Sequence, residues 1–76
     1  MDELIAWVAR QLVDAPDEVR VERIVRDDAI VLRLHVADDD IGKVIGKGGR
    51  TARAIRSVVR ASAIRSGTHV MVEIAG

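Results

Sequence analysis

Cysteine is absent from this 76-residue chain, and so are phenylalanine and tyrosine. Without cysteine there are no disulfides and no thiolate metal sites, and a cytosolic setting is the expectation. Without Phe or Tyr, and with a single Trp, the chain cannot present an aromatic sheet on which bases could stack. Proline occurs once, at Pro16. No apolar run approaches the roughly 18 residues of a membrane-spanning helix. The stretch MDELIAWVARQLVDAP is acidic where a secretory leader would be basic, and its apolar residues are spaced for an amphipathic helix. Neither a membrane span nor a leader is expected.

What is present is the composition of a folded chain, with 49% hydrophobic and 32% charged residues. At this length one domain, residues 1–76, is expected, with a core small enough that oligomerisation is a common remedy. The formal net charge of zero conceals a segregation. Residues 1–40 carry five basic against eleven acidic residues, a net −6. Residues 41–76 carry seven basic residues against Glu73 alone, a net +6. That is either a basic face aimed at an anion or a solvated helix face.

Asp2 can cap a helix in which Leu4, Ile5, Val8 and Leu12 recur at helical spacing. Pro16 stops it, because the residue before a proline is pushed out of the helical region. Trp7 lies beside that apolar stripe and is expected to pack. Val19 to Val25 reads as a strand, Asp27-Asp28 as a tight turn, and Ile30 to Val36 as the clearest strand. On that strand Ile30, Leu32, Leu34 and Val36 share one face, with Arg33 and His35 on the other. Asp38-Asp39-Asp40 could hold a magnesium ion. The better-supported role is at a helix start, where Asp caps well and carboxylates complement the positive end of the dipole. A short helix from Asp39 to Ile45 follows, ended by Gly46 in the left-handed conformation. A longer helix begins near Gly49 or Arg50, reaches about Arg65 and is closed by Gly67. His69 to Ile74 is a last strand, with Val70, Val72 and Ile74 facing in. The order α-β-β-α-α-β predicts an α+β fold. A hairpin and a parallel crossover would build a three-stranded mixed sheet, with three helices packed on one face.

Four of the six glycines fall in IGKVIGKGGRT, residues 41–51. A phosphate-binding P-loop needs G-x-x-x-x-G-K-[ST], but Gly42 and Gly46 are one residue too close and Gly48 stands where Ser or Thr should be. A dinucleotide fingerprint starting at Gly46 would need glycine where Thr51 stands, and a helix rather than a strand precedes it. What remains is a G-x-x-G turn, Gly46-Lys47-Gly48-Gly49, between two helices. With few side chains, a sugar-phosphate chain can lie directly on it, facing the amides of the next helix. The same glycines could serve only as a C-cap and a sharp corner. Along the following helix Thr51, Ala52, Ile55, Val58, Val59 and Ser62 fall within an arc of about 120°, the expected core stripe. Arg50, Arg53, Arg56 and Arg60 occupy a separate arc, a track suited to a nucleic-acid backbone.

VIGKGGR, with a short helix before it and a longer one after, resembles the signature of K-homology (KH) domains. The element order is similar to the type II KH fold. The segments LVDAPDEV, DIGKVIGKGGRTARAIRSVVRA and VMVEI together resemble the small single-KH RNA-binding proteins of bacteria, the KhpA family. That resemblance covers nearly the whole chain. It implies a cytoplasmic protein that binds single-stranded RNA, as an RNA chaperone or post-transcriptional regulator. It also implies self-association as a homodimer, and pairing with a larger Jag-type KH protein linked to cell elongation and division. Mapped onto this chain, Gly46, Lys47, Gly48 and Gly49 form the phosphate-contacting turn. Lys43, Lys47 and Arg50 neutralise phosphates, with Arg53 as an extension. Ile41, Val44 and Ile45 wall the groove, and strand residues Ile30 to Val36 border it. Gly48 departs from the family, which often carries a polar residue there, and the turn should be more flexible for it.

Two other readings stay open. A helix-turn-helix DNA binder would use Arg50 to Arg60 as a recognition helix, although the preceding strands do not suit it. A dimerisation or adaptor module would use outer-helix residues such as Ala54, Ala61, Ile64 and Arg65. An enzyme is not expected. His35 and His69 stand alone on strands, and Ser57, Ser62 and Ser66 have no evident base. No cofactor and no metal are implied.

Overall fold

The computed structural model describes residues 2–75; Met1, Gly76 and the Ser66 side chain lie outside the described residues. Helix α1 spans Asp2–Leu12, β1 Arg20–Arg26, β2 Ala29–His35, α2 Ile41–Ile45, α3 Arg50–Ser66 and β3 His69–Ala75. Short 3-10 turns at Pro16–Glu18 and Asp38–Asp40 precede β1 and α2. The strands lie in the order β1-β2-β3, with β1 antiparallel and β3 parallel to the central β2. The α2–α3 pair makes the crossover between the parallel neighbours. This is the predicted α-β-β-α-α-β architecture, the type II KH fold.

The period-2 pattern of β2 decides where the core forms. Leu32, Leu34 and Val36 are buried and Ile30 packs at their edge, joined across the ladder by Val72 of β3. Ile5 and Ala9 of α1, Val44 of α2, and Ile55 and Val59 of α3 close over that face. The N-terminus of α1 is tied to β1 by a fork from Arg23 to Asp2, at 3.3 and 3.0 Å. On the open face Arg33 bridges Glu73 at 3.0 Å and Glu22 at 3.7 Å, and His35 meets Glu22 at 3.0 Å. These are solvated cross-strand pairs, which contribute little to stability. One apolar residue on that face, Val31, is buried, flanked across the ladder by Ile24 and Met71.

Several expectations change. Trp7 is 58% exposed rather than packed. It stands about 200° around the helix from both Ile5 and Ala9, opposite the line that α1 buries. On α3 the buried line is Ala52, Ile55, Val59 and Ala63, while Val58 is left 52% exposed. The C-terminus of α3 closes as expected. Gly67 is left-handed at φ 72°, and its N–H and that of Thr68 donate to Ile64 and Ala63.

The aspartate triplet is also different in detail. Helix α2 starts at Ile41, and the Asp40 side chain, at its N-cap, makes no capping bond to the helix backbone. Instead Asp40 is buried and turns toward the loop after α1. There it accepts hydrogen bonds from the Asp14 N–H at 3.2 Å and the Ala15 N–H at 3.1 Å. Burial alone would raise its pKa. These two amides and Lys43 more than offset that and hold the carboxyl below the ordinary aspartate value. Among the described residues no three side chains come together as a metal site.

Candidate nucleic-acid interface

The glycine segment folds as a bare corner between α2 and α3. Gly46 has φ 76° and ψ 170°, a region open in practice to glycine alone, rather than the left-handed helical conformation expected of it. A Cβ there would lie 2.3 Å from the Thr51 Oγ1 and 2.8 Å from its Cβ, so α3 packs directly on this residue. Gly48 and Gly49 are left-handed, at φ 66° and 77°. The Gly49 N–H donates to the Gly46 carbonyl at 3.1 Å. Nothing lies within 4 Å of the Cβ position at Gly48 or at Gly42, so close packing does not explain the glycine at 42.

The expected cations divide into two groups. Lys47 and Arg50 are exposed, and among the described residues neither pairs with a carboxylate. Lys43 points the other way. Its ammonium is clamped between Asp14 and Asp40, the latter at 3.3 Å. The hydrogen bond to Asp14, then that to Asp40, holds its pKa above the ordinary lysine value. Arg53 turns back on the corner, its Nη2 donating to the Gly48 carbonyl at 2.6 Å.

The groove walls also differ from expectation. Val44 is fully buried in the core and walls nothing. A five-residue helix pressed between α3 and the sheet buries the side chain that points inward. Ile41 is partly buried, and Ile45 is 38% exposed beside the turn. The open cleft, about 600 Å³, runs between α3 and β3 and is lined by Arg56, Arg60, Ile64, His69 and Met71 among others. This cleft is not the groove expected at Ile41, Val44 and Ile45; its strand wall is β3, the edge of the sheet, and none of residues 30–36 lines it. Arg56 also donates from Nε to the Val72 carbonyl on β3, at 3.4 Å. The arginine arc of α3 thus serves two places, the turn and this cleft. The contribution of β3 was recoverable from the sequence, since a parallel crossover from a hairpin strand makes the last strand an edge.

A second depression, of about 340 Å³ and almost wholly apolar, lies between α1 and α3. Leu4, Val8, Leu12, Ala54 and Val58 line it.

A family model described as KhpA/KhpB, KH domain, matches residues 2–74. The RNA-binding protein KhpA of Clostridium acetobutylicum is 49% identical over 74 residues, covering 97% of this chain and 99% of that protein. RNA-binding protein KhpA of Treponema pallidum is 51% identical over 73 residues, covering 96% of this chain and 91% of its own length. That of Bacillus subtilis is 49% identical over 74 residues, covering 97% and 91% respectively. No solved structure matches the chain.

Proposed function

The chain belongs to the KhpA/KhpB family of KH domains, and from that premise we propose that it is a single KH domain that binds single-stranded RNA. The observation that carries the reading is the exposed Gly46-Lys47-Gly48-Gly49 corner, with Lys47 and Arg50 unpaired beside it among the described residues. A phosphate chain lies against the glycine backbone at the positive end of the α3 dipole, and the two cations neutralise it. The strand then continues along α3 toward the cleft, where Arg56 and Arg60 supply charge and Ile64 and Met71 supply apolar contact for bases. Lys43 has its charge matched by two carboxylates, so its role is to hold α2 against the α1 loop. The role is binding rather than catalysis, in the cytoplasm, as an RNA chaperone or regulator. No helix among the described residues is long and apolar enough to cross a membrane.

The test is competition between an unstructured RNA and duplex DNA, followed across salt. Single-stranded RNA is expected to win. With three or four phosphates neutralised, log K falls against log salt with a slope of roughly −2 to −3. A salt-indifferent signal, or a preference for duplex DNA, contradicts the reading and favours the helix-turn-helix alternative.

Pairing with a second KH domain, as a homodimer or with a larger Jag-type partner, is the second part of the proposal. The apolar depression between α1 and α3 supports it, because Leu4 and Val58 stand 45% and 52% exposed there. Of the outer-helix candidates, Ala54 lines this depression, and Ile64 lines the cleft instead. Val58→Glu is expected to shift the sedimentation of the chain, alone or mixed with its partner, to that of a monomer while its circular-dichroism spectrum stays that of the folded chain. Unchanged association places the interface elsewhere.

A further inference from the structure

Resting on the RNA-binding reading of the turn, we infer that Arg53 is a positioning residue that locks the Gly48–Gly49 peptide, not a cation that meets phosphate. Three of the four turn residues are glycine, and glycine adopts positive and negative φ with similar ease. The cheapest rearrangement of such a segment is a flip of the peptide plane between two glycines, which changes ψ of the first and φ of the second together. A hydrogen bond holds that plane at each end. The Gly49 N–H donates to the Gly46 carbonyl at 3.1 Å, and the Gly48 carbonyl accepts from Arg53 Nη2 at 2.6 Å. A flip breaks both.

The second bond is charge-assisted and comes from a helical residue, so it ties the corner to the rigid body of α3. The guanidinium also lies alongside Gly49, with Nε and Nη2 each 4.0 Å from its Cβ position. The lock answers a weakness of this turn. Glycine at 48 stiffens the backbone less than any side-chain-bearing residue, and Arg53 supplies the missing constraint from outside the turn.

Affinity and salt dependence separate the two roles. The probe is a labelled 20-nucleotide single-stranded RNA of mixed sequence, titrated against the parent and Arg53→Ala at several salt concentrations. Loss of the lock is expected to weaken binding roughly three- to ten-fold. The slope of log K against log salt stays that of the parent, and hydrogen exchange at the Gly49 and Arg50 amides accelerates. Adding Gly48→Asn should recover part of the affinity, since Asn tolerates the left-handed conformation and its Cβ meets nothing within 4 Å. A slope shallower by about 0.7, with exchange unchanged, would mean that Arg53 neutralises a phosphate, and the inference is overturned. Unchanged affinity and unchanged exchange overturn it equally. The exchange arm needs no RNA, so a parent that binds no RNA refutes the functional reading while exchange still decides the lock.

Discussion

Gly46→Ala is expected to cost about 2–4 kcal/mol of folding stability. For a domain of this size that lowers the melting temperature by roughly 8–30 °C. Two independent effects combine. The backbone at Gly46 has φ 76° and ψ 170°, which an L side chain adopts only under strain. The added Cβ would also sit 2.3 Å from the Thr51 Oγ1 and 3.0 Å from the Thr51 backbone nitrogen. A hydroxyl can rotate away, but the nitrogen is fixed in the first turn of α3. Relief therefore requires α3 to move off the corner, and the turn opens as it does. Gly42→Ala is the matched control. Its Cβ meets nothing within 4 Å, and a helical position gains from alanine, so stability should hold or rise by up to about 1 kcal/mol. Thermal melts followed by circular dichroism decide the matter. A Gly46→Ala melt within a few degrees of the parent would show that the close approach to Thr51 is not what requires glycine.

The sequence resolves the architecture because its periodicities are clean. Residues 32–36 alternate, the apolar positions of α1 recur at helical spacing, and Gly67 punctuates the end of α3. The bare corner is equally legible, since four glycines and two lysines in eleven residues admit few alternatives once nucleotide-loop spacing fails. What stays hidden are contacts between residues distant in the chain. Lys43 reads as a phosphate ligand until Asp14, 29 residues away, is seen to claim it. Asp40 reads as a cap until its oxygens are found on the amides of Asp14 and Ala15. Arg53 reads as one more cation on a basic arc because charge patterning carries no information about a backbone carbonyl as partner. Val44 and Trp7 fail for a related reason. Val44 lies on the side of α2 that packs into the core and cannot also wall a groove, and an apolar residue beside a stripe can still lie off its buried line.

Binding itself should respond most to Lys47→Asp combined with Gly48→Asp. The first change removes the ammonium proposed to neutralise phosphate and puts a carboxylate in its place. The second adds another carboxylate at a position with open space around it. Each new charge faces phosphate at the rim of the turn, where Coulomb repulsion is worth about 1 kcal/mol. Together with the lost lysine, RNA affinity should fall by roughly 100-fold or more at about 0.1 M salt. The fold should survive. Lys47 and Gly48 are both exposed, and aspartate tolerates the left-handed conformation better than most residues. Arg26→Asp, on the hairpin end of β1, lowers net charge by two of the three units the double variant removes without touching the turn, and should leave binding within about two-fold, so that most of the global charge effect is accounted for.

The decisive measurement is therefore single-stranded RNA affinity of the Lys47→Asp, Gly48→Asp chain beside its melting curve. The account predicts a native-like helix content, a melting temperature lower by no more than about 8 °C, and binding lost by two orders of magnitude. A folded double variant that holds RNA as tightly as the parent would show that the glycine corner is not the grip.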